Sequence, residues 1–451
     1  MTAAWLFLLV SLVGAVFTAS AVFRIRRISY LIVPYFFGAW LTGELAVHHV
    51  AWQAVASLAF VAMGALDAWP GVLGLVITLA SWAVLLTFHH RASGTGTIFD
   101  QALRDGLTDV PEAAVTIVPF RRIARPFKMR KHGVERLRNI AYGPAGHRHT
   151  LDIYRRRDRR GPCPTLFQIH GGGWTIGQKD QQGLPLMYHL ARRDWVCVAA
   201  NYRLSPRATF PDHLIDVKRA LAWIKQHGAE YGADPDFVVV TGGSAGGHLA
   251  ALVALTANDP EYQPGFEEVD TSVQACVPFY GVYDFLDRHG VRGTATMAPF
   301  LEKLVMKSSP VTAREAWDKA SPITRVHADA PPFFVIHGTH DSLAYVEDTR
   351  HFVSALRKVS RQPVVYAELP GAQHAFDIFH STRSAHAVEA VTRFVEGVRA
   401  THLAQRSRQL TGVARGAVAA ASAVGPGRPR RGSSSYNGYP ANVKRGGELS
   451  G

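Results

Sequence analysis

The stretch from Phe237 to Leu252, Phe-Val-Val-Val-Thr-Gly-Gly-Ser-Ala-Gly-Gly-His-Leu-Ala-Ala-Leu, confines this chain to few folds. Phe237–Val240 is short, wholly apolar and β-branched, the pattern of a parallel strand covered on both faces. From Ala245 the residues are small, then apolar at helical spacing (Leu249, Leu252, Leu255). Between strand and helix sits Gly242-x-Ser244-x-Gly246, a turn with Ser at its apex. Such a turn strains the backbone of its central residue and brings the helix close to the strand, so it needs small neighbours. A Ser held there projects its Oγ at the positive end of a helix, as a nucleophile would. The competing readings are a glycine-rich turn that only packs and a phosphate cradle. A dinucleotide fingerprint wants Gly where Ser244 stands, and no Lys-Ser/Thr follows for a P-loop.

The flanking sequence repeats this strand-then-helix unit. Strand candidates are Leu151–Arg155, Thr165–Ile169, Val196–Ala200, Phe237–Thr241, Val273–Phe279, Pro332–Ile336 and Val364–Leu369. Helices fit Asp212–Gly228, Ala245–Thr256, Val346–Val359 and Ser384–Arg399. The alternation predicts an α/β domain over about 146–401, a mostly parallel sheet flanked by helices. One long interruption, about 283–330, has no strand of its own and is expected to cap the carboxyl edge of the sheet, where such folds place ligands.

Outside this domain the composition changes. Residues 1–90 are almost continuously apolar, and Ala3–Phe23 is an unbroken run of membrane-spanning length. No Lys or Arg precedes it, while Arg24, Arg26 and Arg27 follow, which argues for a retained anchor rather than a cleaved signal. Gly71–Phe88 forms a second clear span. Ile28–Leu66 lies between, with Glu44, His48, His49 and Gln53 as its polar middle, so three or four spans are expected. Basic residues after the last span favour an odd number and a cytoplasmic face for the domain downstream, in a protein integral to the cell membrane.

Residues 91–145 read as a basic juxtamembrane connector. Its strip from Pro119 to Lys131 interleaves apolar and cationic side chains, and suits an anionic lipid surface, a nucleic acid or a plain solvated face. The adjoining membrane favours lipid, so no nucleic-acid partner is expected. Residues 402–451 carry eight Lys/Arg against one Glu, half of the net charge of +14, with little apolar content, and read as a disordered tail. The three cysteines, Cys163, Cys197 and Cys276, read as free thiols, the latter two buried in strands. No metal-ligand spacing occurs, and no metal or cofactor is expected.

Two further motifs fit the nucleophile reading. Ile169-His170-Gly171-Gly172-Gly173-Trp174 follows a strand and exposes backbone N–H groups beside which a carbonyl could settle. Two of these, with the N–H of Ala245, would make an oxyanion hole. A Ser also needs a base, and the base an orienting acid. Asp341 follows the strand ending at Ile336, and His374 follows the strand ending at Leu369, in the order Ser, acid, His that a strand–turn–helix nucleophile requires. His337 and His340 read as a strand-end side chain and a loop neighbour. Asp377 and His380 are rivals placed slightly too late in the chain.

With these motifs on the page, the region from about 145 to 400 resembles the α/β-hydrolase carboxylesterases of the hormone-sensitive-lipase-like group. The resemblance rests on His170-Gly-Gly-Gly-Trp174, Asn201-Tyr-Arg-Leu-Ser-Pro206, Gly242-Gly-Ser-Ala-Gly-Gly247, His337-Gly-Thr-His-Asp341 and Gln373-His374. The whole layout, spans before the hydrolase, is similar to membrane-associated actinobacterial esterases and lipases. It implies Ser244 as nucleophile, His374 as base, Asp341 as acid, and Gly172, Gly173 and Ala245 as oxyanion donors. The implied partner is a small-molecule or lipid ester, with the membrane held through the N-terminal helices. Trp174, Tyr280, Tyr283 and Phe285 are candidate pocket walls. The sequence departs from the group at Gly243, where most members carry Asp. The alternatives are amide cleavage by the same triad, as an amidase or deacetylase, and a non-catalytic binding module on the same fold.

Overall fold

The computed structural model describes residues 2–25, 31–107, 120–159, 161–292 and 297–423, side chains of 120, 410 and 412–423 apart. Residues 1–400 form one compact unit and 401–451 a second. The helices, in chain order, are α1 (Thr2–Val22), α2 (Ile32–Glu44), α3 (Ala46–Ala62), α4 (Trp69–Ser93), α5 (Thr95–Gly106), α6 (Phe120–Ile123), α7 (Leu184–Ala191), α8 (Asp212–His227), α9 (Ala245–Leu255), α10 (Met297–Phe300), α11 (Arg314–Lys319), α12 (Val346–Val359) and α13 (Thr382–Ala423). The strands are β1 (Val134–Ala141), β2 (Thr150–Arg156), β3 (Cys163–Ile169), β4 (Val196–Ala200), β5 (Ala233–Gly243), β6 (Ala275–Phe279), β7 (Phe333–Gly338) and β8 (Val364–Leu369).

The eight strands among the described residues join one sheet in the order β1-β2-β4-β3-β5-β6-β7-β8. From β4 to β8 every pairing is parallel, and β1 and β2 add antiparallel pairings at one edge. The central strands β3, β4, β5, β6 and β7 are apolar along most of their length because helices cover both faces. One layer is built from α8, α9 and α12, through Leu221, Leu249, Leu252 and Phe352. The other is built from α5, α7 and α13, through Phe99, Met187, Val391 and Phe394. Each fully buried side chain of this size contributes roughly 1.5–3 kcal/mol.

Every sequence-read strand is present, and β1 is an addition. Its Val-Glu-Arg-Leu-Arg-Asn run hides the period-two alternation, because charges suit an exposed edge strand. The stretch read as a connector is therefore structured at both ends. It also holds α5, whose Phe99 lies edge-on to Phe334 at 6.2 Å. The last helix runs beyond the expected Arg399 to Ala423, so the first part of the expected disordered tail is helical, and 424–451 lie outside the described residues. Between β6 and β7 the described residues hold short helices and no strand, as expected of the insertion.

Two helices, α1 and α4, are long and apolar enough to cross a membrane, or three if α2 and α3, bent by 90° at Leu45, count as one span. Four spans are therefore not found among the described residues. Trp5 meets Trp69 at 5.3 Å, and Phe7 stacks on Phe60 at 5.4 Å, so the start of α1 lies beside the end of α3 and the start of α4. The opposite ends meet α12 and the loop after β7. Arg24 pairs with Glu347 at 3.2 Å, and Phe88 lies 6.4 Å from His340. Hence α1 and α4 run the same way, α3 runs back, and α2 lies across their sheet-side ends. Of the polar middle, Gln53 accepts from Trp82 Nε1 at 3.0 Å inside the bundle, and Glu44 reaches the α/β unit.

Candidate active site

Strand direction brings the chemistry together: Gly171–Gly173 follow β3, Ser244 follows β5, Asp341 follows β7 and His374 follows β8, all at the carboxyl edge. Ser244 has φ 59° and ψ −122°, a conformation L-residues rarely take, held because its N–H donates to Phe279 O at 3.0 Å and its carbonyl accepts from His248 N at 3.0 Å. Its side chain is half-buried.

Asp341 is fully buried and takes four hydrogen-bond partners. Its Oδ1 accepts from the Leu343 and Ala344 N–H groups, each at 2.8 Å, and its Oδ2 lies 2.6 Å from His374 Nδ1. The fourth partner is His337, whose Nε2 is 3.1 Å from Oδ2 and 2.8 Å from Ala344 O, while Thr349 Oγ1 lies 2.6 Å from Nδ1. Two acceptors at Nε2 and one hydroxyl at Nδ1 put a proton on Nε2, so His337 donates to Asp341. Burial alone would push the Asp341 carboxyl up. The His374 ring and the hydrogen bonds from His337 and His374 outweigh it and hold Asp341 well below the usual carboxylate range. His337, read from the sequence as a strand-end residue, is thus a holder of the acid. The only sequence signal was its four-residue spacing from Asp341.

Gln373 ties the acid loop to the histidine loop. Its Oε1 accepts from the N–H groups of Ser342 (2.8 Å) and His374 (2.9 Å). The His374 ring is packed between Tyr280 at 4.6 Å and Phe36 of α2 at 6.0 Å. Tyr280 also lies against Gly243, its hydroxyl 2.8 Å from where a Cβ on Gly243 would stand. It therefore bridges the serine turn and the imidazole. No direct hydrogen bond joins Ser244 Oγ to His374 among the described residues, and such contacts often shorten only with substrate bound.

The glycine loop is folded as a cradle. Gly172 has φ 114°, with the Ile176 carbonyl where a Cβ would go, so only Gly fits. Its own carbonyl accepts from the Thr175 and Ile176 N–H groups at 3.1 and 3.0 Å. Phe300 of the cap insertion reaches over Gly173, its Cζ 3.3 Å from the Cβ position. Ala245 is the first residue of α9, so its N–H has no partner within the helix.

The aromatic candidates separate. Tyr280 is at the site. Trp174, 3% exposed, donates from Nε1 to His248 Nδ1 at 3.3 Å and packs edge-on against Phe285. Tyr283 is fully buried and stacks on Phe352 at 4.2 Å. These two, with Phe285, pack among buried core side chains, and of the four candidates Tyr280 is the one in contact with the His374 ring. Asp377 and His380 follow the histidine loop, and neither contacts Asp341 among the described hydrogen bonds. Asp377 accepts the Tyr280 hydroxyl. The cysteines are free and buried, and no metal-ligand cluster occurs among the described residues.

Residues 151–356 match the family model described as BD-FAE. The chain is 57% identical over 265 residues to a Mycobacterium tuberculosis protein named probable carboxylic ester hydrolase LipM, covering 58% of this chain and 61% of LipM. The chain thus spans less than two-thirds of that relative. It is 46% identical over 305 residues to esterase LipQ of the same organism, covering 67% of this chain and 68% of LipQ. The inhibited crystal structure of esterase B from Lactobacillus rhamnosis shares the fold, with a TM-score of 0.54 at 22% identity over 70% of this chain and 99% of that chain.

Proposed function

Because the chain belongs to the α/β-hydrolase carboxylesterases of the hormone-sensitive-lipase-like group, we propose that it is a membrane-integral serine esterase that hydrolyses carboxylic esters through an acyl-enzyme on Ser244. The observation that carries this reading is the 2.6 Å Asp341–His374 pair at the sheet edge that also bears the strained Ser244 and the glycine cradle.

His374 takes the Ser244 proton as Oγ adds to the ester carbonyl. The oxyanion settles on the amides of Gly172, Gly173 and Ala245. As the C–O bond breaks, the alcohol leaves with the proton from His374, and water repeats the sequence on the acyl-serine, releasing the acid. Asp341, kept ionised, holds the imidazole tautomer and offsets its positive charge, and His337 fixes Asp341 in turn. One lost oxyanion donor would cost roughly 2.7–4 kcal/mol of barrier.

The membrane part of the reading rests on α1 and α4, with α3 returning between them. Three crossings put the hydrolase opposite the N-terminus. The arginines at the sheet-side ends favour the cytoplasmic face.

Ser244→Ala is expected to abolish p-nitrophenyl ester hydrolysis and fluorophosphonate labelling while the thermal transition stays in place. Wild-type turnover in that variant overturns the assignment. A matched amide hydrolysed faster than the ester would favour the amidase reading.

A further inference from the structure

At about 1.5 Å per residue the 13 residues of α2 measure about 20 Å, too short for roughly 30 Å of hydrocarbon. Lying across the sheet-side ends of α1, α3 and α4, it sits between the apolar bundle and the loop that carries His374. Its Phe36, 8% exposed, meets the His374 ring edge-on at 6.0 Å. Trp40, one turn on, stacks on Phe36 at 5.5 Å and meets Phe379 at 5.2 Å. Phe379 meets Phe127 of the basic strip at 5.3 Å. The aromatic side chains therefore run unbroken from the imidazole to the surface.

The outer end is open. Phe127 is 66% exposed, and Phe37, 5.1 Å from Phe36, is 49% exposed. Arg125 and Lys128 on either side of Phe127 are exposed too. The strip is held against the histidine loop, since His380 N–H donates to Pro126 O at 2.9 Å. A bare phenylalanine between cations, at the end of an apolar path, is poorly suited to water and well suited to an anionic lipid surface. Tyr35 and Trp40 on the same helix are the side chains that settle at headgroup level.

The geometry points to a lipid ester taken from an anionic leaflet, its acyl chain entering past Phe127, Phe37 and Phe379 and lying along Trp40 and Phe36, so that its carbonyl meets Ser244. This deepens the esterase reading and rests on Ser244 as its nucleophile.

The test uses the full chain in nanodiscs of phosphatidylglycerol or phosphatidylcholine. Hydrolysis of p-nitrophenyl palmitate in the bilayer is compared with that of p-nitrophenyl acetate in water, as the ratio of the two kcat/KM values. Phe127→Asp and Phe37→Asp are each expected to lower that ratio at least tenfold in phosphatidylglycerol, and Val359→Asp, at the far end of α12, to leave it unchanged. The wild-type ratio is expected to be higher in phosphatidylglycerol than in phosphatidylcholine. An unchanged ratio in both the Phe127 and the Phe37 variants, or equal losses on the two esters, overturns the entry route. A ratio indifferent to lipid charge overturns the anionic leaflet. Absence of fluorophosphonate labelling in the wild type is a different failure, that of Ser244 itself.

Discussion

Gly243 has no side chain because Tyr280 occupies the space one would need. Where most of the resembled group carries Asp, a Cβ here would meet the Tyr280 ring and hydroxyl at 2.8–3.0 Å. The carboxylate of this corner comes instead from Asp377, which accepts the Tyr280 hydroxyl. Burial pushes Asp377 up to about 6, although the Tyr280 hydrogen bond pulls the other way. Its folded pKa therefore lies above the unfolded value of about 3.9, so the folded state binds the extra proton between roughly pH 4 and 6, and stability falls as pH rises through that window. Asp377→Asn removes this slope. The wild type should melt higher relative to the variant at pH 5 than at pH 7.5, a difference of at most about 3 kcal/mol, read from thermal melts across pH. The sequence offered Tyr280 as a pocket wall, Asp377 as a rival acid and the departure at Gly243, but not that the three meet. Ser244, Asp341 and His374 were, because each closes a strand of recognisable pattern, whereas a contact between Gly243 and Tyr280 depends on how neighbouring strands align.

Among the elements, α2 separates what sequence patterns show from what they hide. Its apolar content and the polar residues after it were plain, but not the face it presents. Glu44, at its last position, is buried against Arg383 at 2.8 Å and Ser381 Oγ at 2.7 Å. Arg383 also lies over the Phe88 ring at 4.9 Å, so the ion pair clamps the bundle to the start of α13, just beyond the histidine loop. Removing one partner of such a buried pair leaves the other charge uncompensated, at a cost on the order of 3–5 kcal/mol. Glu44→Ala is expected to lower the melting temperature in detergent and to reduce kcat. The double variant Glu44→Gln, Arg383→Met should recover much of the loss in stability. β1 teaches the converse. Its charges made it look like linker, and they belong to it because an edge strand in water protects itself with them.

At the scale of the whole molecule, the three crossings proposed for α1, α3 and α4 would put the start of α1 and the hydrolase on opposite sides of a bilayer. A cysteine at Thr2, in Thr2→Cys, is expected to react with an impermeant maleimide on intact cells. One at the exposed Glu315 of the cap insertion, in Glu315→Cys, is expected to react only after lysis, the native cysteines being buried. Reversed labelling would place the hydrolase outside. The sequence carried the two halves separately, since hydropathy reads spans and motifs read the hydrolase. Their junction is a handful of contacts between residues hundreds of positions apart, which no local pattern encodes.

One of those contacts is Arg24, at the sheet-side end of α1. Its Nε donates to the backbone carbonyl of Asp341 at 3.2 Å, while its other nitrogens hold Glu347 at the start of α12. Helix α1 is thereby bolted to the very peptide that carries Asp341. In the proposed membrane arrangement, a thicker or thinner bilayer that tilts the helix to match its length would pull on that peptide, so sterol content and chain saturation would become settings of the catalytic geometry.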